Sequence, residues 1–333
     1  MKAPLFWFNP PARPGIWPRV LHPLSILWRV LSDRRRKNGK NLRVSVPVVC
    51  VGNINVGGTG KTPTVIKLMS IFNKLGIVAH VISKGYGGST NGPLRVDEVI
   101  HTANDVGDEP LLLAAFGQCW VAKDRAAGAK AAIEAGAEVL ILDDGMQNPD
   151  LIKDFTIMVV DAGVGFGNER LLPAGPLRQS VGDGVLAADM VLSIGQHFAQ
   201  QEFARRFKST HAVLQLTGVL EPLQTGMLWH DIRAFAFAGI GRPKKFFETL
   251  RGTGASVVMT RSFGDHEILS GKHLQRMEFE AAKVGAQLVT TEKDAVRLPN
   301  GWQQKVITFP VRLEIDDEEA LVAAMLEVVR PEK

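Results

Sequence analysis

From Val46 onward, short continuous apolar runs alternate with longer stretches whose apolar residues recur every three or four positions. The runs "VPVVCVGN", "IVAHVIS", "EVLILDDG", "FTIMVVDAG" and "ADMVLSIG" read as strands buried on both faces. Helical spacing predicts a helix over residues 61–75 and others in "EPLLLAAF" and "DRAAGAKAAIEAGA". The stretch "HAVLQLTGVLEPL" alternates only partly, as an exposed ribbon linking two domains would. Beyond it the rhythm resumes. Strands are expected in "RAFAFAGIG", "ASVVMTRSF", "QLVTTEKD" and "KVITFPVRLEI", and helices in "RPKKFFETLRGTG", "KHLQRMEFEAAKVGA" and residues 317–329. Such alternation implies α/β architecture, with parallel sheets covered by helices.

The first 43 residues follow a different pattern. Trp17, Leu21, Leu24, Trp28 and Leu31 are spaced to share one helical face, and basic residues crowd the end of the segment at Arg34, Arg35, Arg36, Lys37, Lys40 and Arg43. Pro18 suits a first helical turn, whereas Pro23 kinks the helix or delays its start. An apolar, tryptophan-bearing face followed by cations fits a segment lying in a membrane interface, the favoured reading, or a helix packing that face on the protein's own core. No run approaches the roughly 20 apolar residues of a spanning helix, and no secretory signal pattern is present. The first twelve residues are expected to be irregular.

Composition adds little to this. The chain has 333 residues, 45% hydrophobic and 22% charged, with a net charge of +5, values ordinary for a soluble protein of two domains. Cys50 and Cys119 read as buried small groups and cannot form a disulfide framework, which is the cysteine usage of a reducing compartment. A nucleic-acid partner is not expected, because the basic residues are crowded at one end beside tryptophans and no nucleic-acid motif accompanies them.

Chemistry enters at "VGNINVGGTGKTPTV". Gly57, Gly58, Thr59 and Gly60 lie between a strand and a helix, followed by Lys61 and Thr62. Glycines let the backbone approach phosphate oxygens, Lys61 can reach the terminal phosphates and Thr62 can ligate Mg²⁺. Asn55 stands where the phosphate-loop pattern has its first glycine. The partner carboxylates are Asp143 and Asp144, ending the apolar run of "VLILDDG"; which of the two would touch the ion is left open. Guanine readers and the second lysine of membrane-partitioning ATPases, here Val56, are missing, so small-substrate kinases are favoured.

The ordered series "GNINVGGTGKTP", "SKGYGG", "GDEP", "DDGMQN", "RLLPAGPLR", "FGDHEIL" and "TEKDAVRL" resembles the tetraacyldisaccharide 4′-kinase, or lipid A 4′-kinase, family over nearly the whole chain. The resemblance implies a P-loop kinase-like α/β/α domain and a smaller C-terminal α/β/α domain joined by a two-stranded ribbon. Expected bounds are 1–43 for the membrane-associated segment, 44–215 for the catalytic domain, 216–230 for the ribbon and 231–333 for a domain closing over the nucleotide. It also implies transfer of the γ-phosphate of ATP, with Mg²⁺, to the 4′-hydroxyl of an acylated glucosamine disaccharide 1-phosphate, at the cytoplasmic face of the inner membrane. Asp108 in "GDEP" matches the family's catalytic aspartate, and His266 in "FGDHE" its histidine partner. Lys84, Tyr86, Arg125, Gln147, Asn148 and Arg178 fall in motifs expected to meet the substrate or phosphates.

The chain departs from the family's usual spelling at three positions. Lys84 replaces an arginine, Gln179 replaces a glutamate, and Asn148 stands where "DDGFQH" places histidine, supplying hydrogen bonds but no titration. Two other functions fit the glycine loop: a kinase of a soluble sugar, and a membrane-recruited ATPase switch with no organic acceptor. The sequence leaves oligomeric state open.

Overall fold

The computed structural model describes residues 3–265, 267 and 269–330. Thirteen strands among them form two sheets. The strands are β1 (Val48–Gly52), β2 (Ala79–Ser83), β3 (Leu94–Arg95), β4 (Cys119–Val121), β5 (Val139–Asp143), β6 (Phe155–Asp161), β7 (Met190–Ile194), β8 (Leu214–Pro222), β9 (Arg233–Ala238), β10 (Ser256–Ser262), β11 (Gln287–Thr291), β12 (Ile307–Phe309) and β13 (Val311–Ile315). The larger sheet has the order β13-β8-β7-β6-β1-β5-β2-β4-β3, parallel except for β3 and β13 at its two edges.

The uninterrupted apolar runs are explained by β1, β5 and β7, where every position is buried. Successive residues of a strand face opposite sides of a sheet. Val49 and Val51 accordingly join Leu68 and Phe72 of the helix Lys61–Lys74 in one core, while Val48 and Cys50 join Ala126 and Ala129 of the helix Arg125–Glu134 in the other. Covering both faces leaves only the strand ends open, and the glycine loop leaves one of those ends.

The second sheet, β10-β9-β11-β12, is wholly parallel. Ala234, Ala236 and Ala238 of β9 pack with Phe246, Phe247 and Leu250 of the helix Pro243–Gly252. Phe235 and Phe237 pack with Leu274 and Met277 of the helix Gly271–Lys283 on the other face.

One expectation needs correction. Residues 311–329 do not stay with the second sheet. β13 pairs antiparallel with β8, Ile315 opposite Gly218, and the helix Glu318–Val329 buries Leu321 and Met325 in the first domain's core beside Val65 and Leu68. This pairing covers an edge of β8 that would otherwise be open, and Lys67 adds an ion pair to Glu318 at 2.6 Å. The ribbon is therefore β8 with β13. The short strands β3 and β4 and the helices Val181–Leu186 and His197–Arg206 were not legible in the pattern.

The N-terminal segment is more ordered than its sequence suggests. Leu5–Phe8 forms a 3-10 turn with Trp7 buried, and the helix breaks at Leu21 into Ile16–Val20 and His22–Lys37, because Pro23 lies in the second piece's first turn. Trp17, Leu24 and Leu31 are exposed as the periodicity predicts, but so are Ile16, Val20, Ile26, Leu27 and Val30. Among the described residues no helix is long and apolar enough to cross a membrane.

Candidate active site

The loop between β1 and the helix Lys61–Lys74 sits at the carboxyl ends of β1, β5 and β6, where open parallel sheets bind ligands. Gly60 has φ +103°, a conformation that side-chain-bearing residues rarely adopt, so the backbone requires glycine. Gly57 has φ +116° with nothing near, leaving that side of the loop open. Gly58 and Thr59 complete the turn, and the Thr59 hydroxyl accepts from Asn53 Nδ2 at 3.0 Å. Asn55 donates to the Gly165 carbonyl at 2.9 Å, so its side chain does the anchoring here that a bare glycine cannot. Lys61 extends along the loop, donating to Asn53 Oδ1 at 3.2 Å and lying 3.5 Å from Asp144 Oδ1. Thr62 is half-buried in the helix's first turn.

The two aspartates have different environments. Asp143 is buried; its Oδ2 accepts from the Ser83 hydroxyl at 2.9 Å and its Oδ1 has no partner. Burial first, then Glu109 and Asp144, push its carboxyl up to about 7. Asp144 has φ +49° and turns toward cations. Arg178 Nη1 lies 3.0 Å from each of its oxygens. Burial opposes ionisation of Asp144, but Lys61 and Arg178 outweigh it and hold the carboxyl below its usual range. Asp144 is thus committed to cationic side chains, while Asp143 keeps one oxygen for something the protein does not supply. A buried oxygen beside a hydroxyl-bearing helix start fits Mg²⁺, which takes one or two protein oxygens and keeps the rest for water and phosphate.

Asp108 is the first residue of the helix Asp108–Ala114 and is buried. Gly107 before it has φ +90°, and a Cβ there would meet the Tyr86 carbonyl at 2.7 Å, so the "SKGYGG" turn packs directly on this helix start. The second domain reaches the same place. Arg297 Nε lies 3.7 Å and Lys293 Nζ 4.0 Å from Asp108 Oδ2, and Lys293 donates to Glu109 Oε1 at 3.1 Å. Burial would lower Lys293's proton affinity, but Glu109, Asp108 and Asp265 together raise it. Asp294 fixes this corner by accepting from the Gly239 N–H and pairing with Arg297. His266 lies outside the described residues.

The remaining sequence candidates divide. Arg125 does not line an open site. Only 3% exposed, it donates to the carbonyls of Ile82 at 3.0 Å and Asp143 at 2.8 Å, tying together the ends of β2 and β5. Gln147 donates to the Asn53 carbonyl and accepts from Arg178, bridging the acidic turn to the phosphate loop. Asn148 folds back on its own turn, accepting from Asp150 N–H and donating to Asp150 Oδ2, both at 3.0 Å. Its polar atoms are spent there, so the missing histidine leaves no gap in the contacts of Lys61, Asp143 or Asp144. Lys84 and Tyr86 are exposed at the end of β2. Ser83, Asn53 and Glu109 were not singled out from sequence. The signal for Ser83 lies in register alone, since Ile82 pairs with Leu142 and places the serine beside Asp143.

A family profile described as tetraacyldisaccharide-1-P 4′-kinase matches residues 17–330, which takes in every group above. The chain belongs to this family. Relatives named tetraacyldisaccharide 4′-kinase include one from Dinoroseobacter shibae, 52% identical over 326 residues, covering 98% of this chain and 97% of the relative. Another, from Jannaschia sp., is 50% identical over 329 residues and 99% of both chains. Among solved structures, LpxK from Aquifex aeolicus in complex with ATP is similar with a TM-score of 0.76 at 26% identity, covering 94% of this chain and 100% of that one. Family membership makes the cleft beside Lys61, Asp143 and Asp108 the place to look for a kinase's chemistry.

Proposed function

We propose that the chain transfers the γ-phosphate of ATP to the 4′-hydroxyl of a tetraacylated glucosamine disaccharide 1-phosphate while held at a lipid surface, the cytoplasmic face of the inner membrane. The carrying observation is a convergence: phosphate loop, buried carboxylates and a helix with outward apolar side chains meet at one end of the larger sheet. The family's names supply the reaction and its lipid acceptor, and a soluble-sugar kinase has no use for that helix.

The loop amides and Lys61 hold the phosphates of ATP, with Asp144 and Asn53 keeping Lys61 extended along them. Thr62 and Asp143 would hold Mg²⁺, which when bound supplies charge neutralisation of the phosphates. Asp108 accepts the acceptor hydroxyl's proton as the new P–O bond forms, and the Lys293–Arg297 corner brings the second domain against it. Arg178 holds the Asp144 carboxylate and Arg125 the Asp143 carbonyl, fixing the acidic turn. Most of the acceleration comes from positioning and fixed charge, with the base a smaller part.

The exposed Ile16, Trp17, Val20, Leu24, Ile26, Leu27, Val30 and Leu31, with Arg34, Arg35, Arg36 and Lys37 in the helix's last turn, support seating in an anionic bilayer. The test is transfer of labelled γ-phosphate to the tetraacyl disaccharide 1-phosphate in mixed micelles, with Mg²⁺. Labelled lipid that vanishes in Lys61→Ala supports the reading. Label released only as inorganic phosphate, at a rate indifferent to lipid, overturns it.

A further inference from the structure

Ser25 is 3% exposed, although Leu24, Ile26 and Leu27 around it are each more than half exposed. Its hydroxyl donates to the Leu171 carbonyl at 2.9 Å and accepts from the Ala174 N–H at 3.2 Å. One turn later, Trp28 Nε1 donates to the Arg178 carbonyl at 3.0 Å. Earlier in the chain, Trp7 Nε1 donates to the Pro173 carbonyl at 3.1 Å, and Asn168 donates through its side chain to the Phe6 carbonyl and through its N–H to the Trp7 carbonyl. All of these bonds fall on one segment, residues 168–178.

The far side of that segment is the active site. Arg178 N–H donates to the Ile54 carbonyl at 2.7 Å, Val56 N–H donates to the Pro176 carbonyl at 2.8 Å, and the Arg178 guanidinium grips Asp144. The segment therefore straps the outward apolar helix to the phosphate loop and the acidic turn. A helix whose apolar residues point outward cannot use them to hold the body, so its polar bonds to the strap set its place.

We propose that Ser25 and Trp28 are positioning residues, coupling the seating of the N-terminal helix on a lipid surface to the placement of residues 171–178 and of Arg178 against Asp144. The coupling rests on the lipid-surface reading above. Ser25 faces the strap and not the lipid, so changing it separates coupling from recruitment. Removing its hydroxyl leaves the Ala174 N–H without its partner and the Leu171 carbonyl with the Gly175 N–H alone, a loss on the scale of a tenfold change in rate.

The experiment measures hydrogen–deuterium exchange of residues 168–178 in the full chain, with and without phosphatidylethanolamine–phosphatidylglycerol vesicles, beside transfer kinetics in micelles. The expected result is slower exchange of this segment when the unsubstituted protein binds vesicles. Ser25→Ala should sediment with vesicles as well as the unsubstituted chain, yet lose that protection. Its kcat on the lipid acceptor should fall about tenfold with the KM for ATP unchanged. Ser25→Thr, which keeps the hydroxyl, should restore both, and Trp28→Phe, which keeps a ring without the N–H, should reproduce the loss in part. Exchange indifferent to vesicles in the unsubstituted chain, or full protection and full kcat in Ser25→Ala, would overturn the coupling while leaving the kinase reading intact. Failure of the unsubstituted chain to sediment at all would instead overturn the lipid-surface reading on which the coupling stands.

Discussion

Replacing Asp143 with asparagine should stabilise the protein at pH 8 while abolishing transfer. Burial, reinforced by Glu109 and Asp144, raises this carboxyl from an ordinary value of 3.8 to about 7. The folded protein thus binds the proton more tightly than the unfolded chain does. The resulting stability is fully present below about 3.8 and is lost as pH rises through about 7. At pH 8 the native state carries the whole burden, roughly 4 kcal/mol for about three pK units. Asparagine can still accept from Ser83, but its amide nitrogen takes the place of the unpartnered Oδ1, costing about 1–2 kcal/mol. The net gain is about 2–3 kcal/mol, a rise in Tm of about 3–4 °C for a chain of this length. Scanning calorimetry in chelator at pH 8 and pH 5 measures it. The gain should shrink to near zero at pH 5, where the aspartate is already protonated in the native protein. A gain of equal size at both pH values, or a loss at pH 8, would refute the assignment of a costly buried charge.

Other expectations concern separate parts of the site. Asp108→Asn should lower kcat by about 10²–10⁴-fold with nucleotide affinity retained in titration calorimetry, and near-normal turnover would remove it as the base. Arg125→Met should destabilise the protein by about 3 kcal/mol in urea unfolding, because it strips buried strand-end carbonyls of a charged donor; an unchanged midpoint would contradict that role. Asp161 anchors the second domain through Arg242 and Lys245, so Asp161→Asn should enlarge the radius of gyration of the nucleotide-free protein in X-ray scattering, and an unchanged radius would place the anchoring elsewhere. Serine at Ile26, Leu27 and Val30 together should release the protein from vesicles without altering its Tm, since none of the three is buried.

Sequence reasoning found what local pattern encodes. Fully buried strands such as β1 and β5 announce themselves by unbroken apolar runs, and the glycine loop by residue types that only a tight phosphate-facing turn requires. It failed where partners are distant in the chain. Arg125 reads as a substrate or phosphate ligand until β2 and β5 are side by side, because nothing in its neighbourhood shows that two strand-end carbonyls await it. β13 looked like part of the second sheet because it follows β12 with only Pro310 between them; its pairing with β8, some ninety positions earlier, follows from which edge is open. Asn148 looked consequential as a replacement, yet its bonds are confined to its own turn.

That single proline between β12 and β13 has a mechanical consequence. The chain enters the second domain through residues 223–232 and leaves it through Pro310 alone, so one connection is ten residues long and the other a single residue. Leu223 N–H bonds the Pro310 carbonyl, and Arg312 and the Val311 N–H are both held by Glu292 of the second domain. The two connections are thereby tied side by side into one short braced stalk, with φ of the proline fixed near −65°. Lys293 directly follows Glu292, so the corner that touches Asp108 lies next to this stalk. Beside this stalk, two sets of ion pairs fasten the second domain to the first: Arg242 and Lys245 on Asp161, and Lys293 and Arg297 on Asp108.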